Sequence, residues 1–256
     1  MRTCIAALFL LLFFACKNKP QIVTESVINS SIDYPLEIDK VFDQHGGIEL
    51  WNSMATLSYD MVRETSVEKQ TIDLRSRHEK IEGSNFTSGW DGKEYWVEAD
   101  TSYKGNAKFY TNLMFYFYAM PFVLGDEGIN YEKSIPLEFE GIKYPGYRIT
   151  YEDGIGISPK DEYFIHYDPK TYEMAWLGYT VTFFSGEKSE KISWIRYNDW
   201  ASFEGLKLPN SLSWYKTEEG KTTELRNTRK FENINVSKTP QSAKTFQKTP
   251  KAKIIE

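Results

Sequence analysis

Histidine and cysteine side chains could supply metal or nucleophilic chemistry, but none of those in this chain falls in a recognised catalytic spacing. The three histidines, His45, His78 and His166, form neither an HExxH nor an HxH pattern. The chain also lacks a GxSxG elbow, a glycine-rich phosphate loop and a GxGxxG motif. We therefore predict a protein that is not an enzyme, with no catalytic residues, no metal ligands and no cofactor.

Carboxylates near predicted turns are the remaining candidates for acid–base chemistry. Asp153, Asp161 and Glu162 lie in loop sequence, and a glycosidase needs two carboxyl groups that converge on one bond. Adjacent acidic residues in a loop are more often solvated surface. The sequence does not pair these groups with a further motif, so they carry no predicted reaction.

The chemistry that the sequence does predict is lipid attachment at Cys16. Arg2 precedes an apolar run at residues 5–14, and Ala15 and Cys16 follow it. The run is shorter than the roughly 20 residues that a membrane-spanning helix needs, so we interpret residues 1–15 as a cleaved lipoprotein signal peptide. Cys16 would then carry the lipid, with palmitate among its acyl chains. The alternative interpretation is an ordinary cleaved secretion signal. Cys4 lies inside the signal, so the mature chain has no second cysteine for a disulfide.

This signal predicts a protein of the cell envelope that is anchored to a membrane by its lipid. The apolar content of 41%, with 16% aromatic residues, is enough for one globular domain. A net charge of -5 without a basic block argues against a nucleic-acid partner. The oligomeric state is left open.

The pattern of apolar residues predicts two short helices followed by an antiparallel meander. Pro35 begins a helix with Ile38 and Phe42 at helical spacing, and Gly46-Gly47 ends it. We predict a flexible tether at residues 16–32, a folded domain at residues 33–240 and a polar C-terminal tail at residues 241–256. Alternating apolar residues predict about nine or ten strands, at 56–61, 71–80, 94–99, 147–151, 163–167, 175–183, 192–197, 212–216 and 222–228.

Residues 108–124 interrupt this meander with a segment that is apolar on nearly every side. A helix of this composition has no solvent-facing side, so protein, ligand or membrane must cover it. Asn112 and Pro121 disfavour a membrane-spanning helix. Two interpretations stay open: an ordinary core helix packed on the sheet, or a helix that lines or closes a hydrophobic cavity.

Several short motifs stand out in the folded part: His45-Gly46-Gly47 with Trp51, Trp90-Asp91-Gly92-Lys93 with Tyr95-Trp96, the apolar blocks at 115–117 and 121–124, the turn at 168–171 and residues 205–209. In these motifs the chain resembles an uncharacterised family of Gram-negative lipoproteins whose architecture is similar to the LolA/LolB lipoprotein carriers. The resemblance covers about residues 35–240 and implies a mainly β fold with helices (α+β), an antiparallel meander curled into an incomplete β-barrel whose open face the helices close. It implies no catalytic residues, and it implies a location at the outer membrane, facing the periplasm.

From this resemblance and the apolar segment we predict a cavity that binds a hydrophobic small molecule or lipid, such as an acyl chain. The residues expected to line it are Phe109, Leu113, Phe117, Met120 and Phe122, with Tyr59, Tyr179 and Trp194 on the side of the sheet. Two other classes of function remain. The many aromatic residues suit a glycan- or peptidoglycan-binding lipoprotein, and a scaffold of the envelope would need neither cavity nor aromatic row.

Overall fold

The structure is a computed structural model that describes residues 34–152, 160–218 and 221–255. The predicted signal peptide, Cys16 and the tether at 16–32 lie outside the described residues, as does Asp153. Within the described ranges, no helix has both the length and the apolar character that crossing a membrane requires.

Thirteen strands form one antiparallel sheet that is not closed into a barrel. Their order across the sheet is β15-β5-β4-β3-β2-β1-β14-β13-β10-β9-β8-β7-β6, and β11 and β12 form a separate hairpin. The strands are β1 (Thr56–Val62), β2 (Val67–Asp73), β3 (Glu79–Glu82), β4 (Phe86–Trp90), β5 (Tyr95–Ala99), β6 (Ile129–Phe139), β7 (Ile142–Tyr151), β8 (Tyr163–Tyr167), β9 (Met174–Tyr179), β10 (Ser193–Arg196), β11 (Trp200–Phe203), β12 (Leu206–Pro209), β13 (Ser211–Glu218), β14 (Lys221–Ser237) and β15 (Lys253–Ile255). The predicted mainly β fold with an incomplete antiparallel barrel is thus confirmed.

Among the described residues, five short α-helices pack on one face of this sheet, which we call the inner face. They are α1 (Leu36–Gln44), α2 (Ile48–Ser53), α3 (Ala107–Tyr110), α4 (Leu113–Tyr118) and α5 (Met120–Val123). The predicted first helix is confirmed: Ile38 and Phe42 are buried against the sheet, and Gly46 and Gly47 end α1 with φ of 106° and 91°. At such angles an L side chain is strained, so glycine suits both positions.

The prediction of one helix at 108–124 is wrong, because two backbone breaks divide the segment into three short helices. Asn112 has a left-handed φ of 58° between α3 and α4, and Thr111 has an extended ψ of 129°. Ala119 separates α4 from α5, and Pro121 lies in the first turn of α5, where a missing N–H costs no hydrogen bond. Four of the six residues of α4 and all four residues of α5 are buried, so these pieces have little solvent-facing surface that would need polar side chains.

Several predicted strands have wrong boundaries, and the prediction does not contain β4, β6, β11, β12 or β15. Residues 71–80 contain the end of β2, a turn and the start of β3. Asp73 causes this turn, because its Oδ1 accepts hydrogen bonds from the backbone N–H groups of Arg75 and Ser76, at 3.0 and 2.8 Å. The strand predicted at 175–183 ends at Tyr179. The long β6–β7 hairpin has too few buried side chains for alternation to reveal β6.

The two outer edges of the sheet are β6 and β15. The ladder between β6 and β7 is irregular between Ser134 and Leu137, and this bulge contains Pro136 and Ile135, which is 89% exposed. At the other edge, the residues predicted as a polar tail pack onto the sheet. β15 pairs with β5, and Phe246 is 1% exposed.

A second, smaller apolar cluster lies on the outer face of the sheet. It contains Tyr144, Trp176 and Trp194, which alternate with inner-face residues along β7, β9 and β10. A Cβ atom at Gly178 would lie 2.8 Å from the Trp194 ring. Glycine at this position therefore leaves the space that the indole occupies.

Candidate functional site

A cavity of about 280 Å³ lies between the short helices and the ends of several strands on the inner face. Its walls come from β4 and β5, from α3 and α4, from the loop after α5, and from β7, β8 and the loop after β9. The lining residues are Trp90, Tyr95, Phe109, Thr111, Asn112, Leu113, Tyr116, Asp126, Glu127, Tyr151, Asp161, Tyr163 and Phe183.

The turn between β4 and β5 builds one aromatic wall. Asp91 Oδ1 accepts a hydrogen bond of 2.8 Å from the backbone N–H of Glu94, and Gly92 has a φ of 91°. Trp90 and Tyr95 are cross-strand partners on either side of this turn. Their rings stack with centroids 4.3 Å apart and an interplanar angle of 26°. A tight turn thus places two large aromatic surfaces side by side.

The helices supply the facing apolar wall. Asn106 caps α3, since its Oδ1 accepts a hydrogen bond of 3.0 Å from the backbone N–H of Phe109. The Phe109 ring packs against Phe183 and Phe184, with centroids 5.1 and 4.8 Å away. Phe184 is 70% exposed, and Leu113 is half-buried on the next helix.

Three carboxylates lie among these rings. Both oxygens of Asp126 accept hydrogen bonds from Arg77 Nη2, at 2.7 and 2.8 Å. The backbone N–H of Thr182 donates to Asp161 at 2.6 Å. Burial raises the pKa of Asp126 and of Asp161, and the Arg77 charge opposes this rise at Asp126. Glu127 is exposed beside Asp126.

A buried carboxyl group, Glu79, lies behind the cavity lining. Asn112 donates its backbone N–H to Glu79 Oε2 at 2.6 Å and its side-chain Nδ2 to the carbonyl of Arg77 at 3.1 Å. Glu79 is fully buried, and its Oε1 has no hydrogen-bond partner in the part of the chain that the structure describes. Burial raises the pKa of Glu79 to about 8, so the group is largely protonated at neutral pH.

Two of the predicted ligand-binding residues, Phe109 and Leu113, line this cavity. Phe117, Met120 and Phe122 are at most 3% exposed and belong to the packed core. The Phe122 ring stacks on Trp51 at 4.5 Å. The first half of the apolar segment therefore contributes to the cavity wall, and its second half belongs to the packed core.

The predicted residues on the sheet do not line this cavity. Tyr59 is 1% exposed, and its hydroxyl donates to Gln70 Oε1 at 2.7 Å. Tyr179 packs against Phe117 on the inner face, and Trp194 lies in the cluster on the outer face. Strand alternation alone assigns Trp194 and Ile195 to opposite faces but does not say which face meets the helices.

Most of the lining was missed from the sequence. Trp90 and Tyr95 were recognised only as part of a turn motif, and Asp161 only as a loop carboxylate. Tyr151 and Tyr163 lie at the ends of their strands, with rings 5.9 Å apart. These residues are distant in the sequence, so only the order of strands in the sheet brings them together.

Two of the histidines are structural. His45 Nδ1 donates to the carbonyl of Val41 at 2.7 Å, and His166 Nδ1 to that of Tyr144 at 3.0 Å. Burial lowers the pKa of each to about 4. The described residues contain no group of three or more His, Cys, Asp or Glu placed to hold a metal ion.

Solved structures with a similar chain course exist, although no protein-family model and no curated protein matches the sequence. A LolA superfamily protein from Nitrosomonas europaea is 7% identical, with 81% of this chain and 96% of that chain covered and a TM-score of 0.47. A DUF1329 family protein from Desulfovibrio piger is 10% identical, with coverages of 82% and 95% and a TM-score of 0.49. The likeness is one of fold alone.

Proposed function

We propose that this chain is a non-enzymatic, lipid-anchored protein of the cell envelope that binds a small hydrophobic ligand in the cavity between the helices and the sheet. The observation that carries the proposal is the cavity itself, with eight aromatic or aliphatic residues among its thirteen lining residues. Its volume of about 280 Å³ is near the lower end of the ~300–1,000 Å³ typical of small-molecule sites. This size suits a single ring or the end of an acyl chain.

The affinity of such a site would come from burial of apolar surface. Each methylene group removed from water contributes about 0.8 kcal/mol, so six methylenes contribute roughly 5 kcal/mol before the cost of association. The aromatic wall of Trp90 and Tyr95 offers flat surface to either a ring or a chain. Such a ligand needs no catalytic group.

Binding of N-phenyl-1-naphthylamine, an uncharged fluorescent apolar probe, to the full chain tests the proposal. We expect saturable binding to the wild-type protein and its loss in Leu113→Trp, because the indole would fill the cavity. Leu225→Trp is the matched control, since Leu225 is 54% exposed on β14. Absence of saturable probe binding to the wild type would refute the proposal. If the probe does bind, mass spectrometry of lipids that co-purify with the protein would identify the natural ligand class.

Lipid attachment at Cys16 is tested separately. We expect palmitate labelling of the wild-type chain in cells and its loss in Cys16→Ala, with release from the membrane fraction. Cys4→Ala is the matched control and should keep the label, because Cys4 lies in the part predicted to be removed. Equal labelling of wild type and Cys16→Ala would contradict the anchor.

A glycan-binding function is the second candidate. It is favoured by the stacked Trp90 and Tyr95 rings beside carboxylates, since flat rings pack on sugars and carboxylates accept hydrogen bonds from hydroxyl groups. Co-sedimentation of the protein with purified peptidoglycan would support this function if the Trp90→Ala substitution abolished it. Failure of both the uncharged apolar probe and peptidoglycan to bind would leave the scaffold function.

A further inference from the structure

We propose that the ligand of this cavity carries a positively charged ammonium group, which binds between the aromatic rings and the carboxylates while its apolar part fills the remaining space. The inference rests on the proposed function, since it names the chemistry of the ligand at the same site. It arises from the charge of the cavity lining and from the ring surfaces around it.

The lining carries three carboxylates and no cationic side chain, and an ion pair compensates only one of the three. Asp126, Glu127 and Asp161 are among the thirteen lining residues, and none of the thirteen is lysine, arginine or histidine. Arg77 neutralises Asp126 from outside the lining through two hydrogen bonds. Neither Glu127 nor Asp161 forms an ion pair within the described ranges 34–152, 160–218 and 221–255. The site therefore keeps two carboxylates that an ammonium group would complement.

The aromatic rings favour the same sign of charge. Seven of the thirteen lining residues are tryptophan, tyrosine or phenylalanine, and the face of an aromatic ring carries partial negative charge. Cations bind such faces within about 6 Å of the ring centroid. Such a contact between a cation and a ring already exists within the chain, where Lys108 Nζ lies 5.7 Å from the centroid of the Tyr95 ring.

Other ligand chemistries fit this lining less well. The carboxylate of a fatty acid would meet Glu127 and Asp161 with no positive side chain in the lining to hold it. A purely apolar ligand would cover these two groups without giving them a positively charged partner, and burying an uncompensated charge is costly. An alkylammonium ion meets both requirements, whether it is a free amine or the headgroup of an ethanolamine lipid.

Three probes of equal chain length test the charge of the ligand on the full chain: n-octylammonium, 1-octanol and octanoate, each by isothermal titration calorimetry. We expect n-octylammonium to bind at least about tenfold more tightly than 1-octanol, and octanoate to bind most weakly. Equal affinity for n-octylammonium and 1-octanol would overturn the ammonium inference and leave the hydrophobic site standing. No binding of any probe would refute both.

Charge-neutral variants assign the preference to the two carboxylates. Glu127→Gln with Asp161→Asn should reduce the preference for n-octylammonium to about threefold or less and leave the affinity for 1-octanol unchanged. Glu232→Gln removes one charge at an exposed position of β14 and should keep the full preference. If the double variant fails to fold by circular dichroism, Glu127→Gln alone, at an exposed residue, must still lower the preference. An unchanged preference in both would overturn the assignment.

Vesicles distinguish the two sources of the ammonium group. Co-sedimentation with phosphatidylethanolamine vesicles, and less with phosphatidylglycerol vesicles of the same chain length, supports a lipid headgroup. Binding of n-octylammonium without any preference between the vesicles supports a small soluble amine. Preference for phosphatidylglycerol vesicles that persists in the double variant would count against an ammonium ligand.

Discussion

Glu79 shows how one residue couples stability to pH in this fold. Its carboxyl group is fully buried, and one backbone N–H, that of Asn112, binds it. The ordinary pKa of 4.5 applies to the unfolded chain, whereas burial raises the pKa in the folded chain to about 8. The folded chain therefore holds a proton that the unfolded chain releases between these two values.

We predict that the free energy of unfolding falls as the pH rises from about 4.5 to 8, by about 1.4 kcal/mol per pH unit from this group alone. The favourable contribution is fully present below pH 4.5 and is lost once the pH passes 8. Glu79→Gln should remove this slope and be more stable than the wild type at pH 8, on the order of 4 kcal/mol. Urea denaturation at pH 5, 6.5 and 8 measures it.

Glu82→Gln provides the control on the same strand, because the Glu82 side chain is 42% exposed and pairs with Lys80. It should keep the wild-type slope. A Glu79→Gln variant that loses stability with pH as steeply as the wild type would show that other groups dominate this range.

At single positions, the sequence predicts the burial of apolar side chains better than it predicts the hydrogen-bond partners of polar ones. The positions of Ile38 and Phe42 follow from helical spacing alone. The burial of Glu79 does not, because a carboxylate in a strand is normally assigned to the solvent face. Its partner Asn112 lies 33 residues away and reaches it through a left-handed backbone that the sequence does not reveal.

At the scale of elements, α4 combines two roles at its two ends. Phe117 is 3% exposed and packs against Tyr179, with ring centroids 4.6 Å apart. Leu113, one turn earlier, is half-buried and borders the cavity. The alternatives that the apolar sequence leaves open, core helix or cavity wall, therefore both hold within one helix of six residues.

We predict that Phe117→Ala destabilises the fold by about 3–5 kcal/mol, since it leaves a void in a packed core. Leu113→Ala should cost less, below about 2 kcal/mol, because its side chain already faces empty space. Thermal and urea denaturation of both variants measures the difference. Equal losses would mean that the cavity wall is packed as tightly as the core.

Apolar periodicity locates α1, α2 and β8, but it fails where a segment is buried on all sides. Residues 108–124 give no periodic signal, so the breaks at Asn112 and Ala119 could not be found from it. β6 fails for the opposite reason, because few of its side chains are buried. Periodicity reports an element only when one face differs from the other.

At the scale of the whole molecule, the C-terminal residues complete the sheet. Trp96 is fully buried, and its Nε1 donates to the carbonyl of Phe246 at 3.0 Å. The polar composition of residues 241–256 predicts a tail because only a few apolar side chains, Phe246 among them, carry the packing. The antiparallel meander itself was predictable, since turn residues separate the strands at short and regular intervals.

We predict that Phe246→Ala lowers the stability of the whole domain by about 3–5 kcal/mol and shifts the emission of Trp96 to longer wavelength, because water reaches the indole. Phe184→Ala is the matched control and should cost less than about 1 kcal/mol, since Phe184 is 70% exposed. Denaturation followed by tryptophan fluorescence measures both. If removal of residues 241–256 left the melting temperature unchanged, these residues would be a tail after all.

The bulge at Pro136 has a consequence for how copies of this protein behave at high concentration. An open sheet leaves backbone donors at its edge, and such an edge can recruit the same strand from another copy and start polymerisation. β6 is eleven residues long and would be a good template. The proline ring removes one donor, and the irregular pairing between Ser134 and Leu137 bends the strand. Both features make β6 a poor template for fibre growth, although it is an open edge of the sheet.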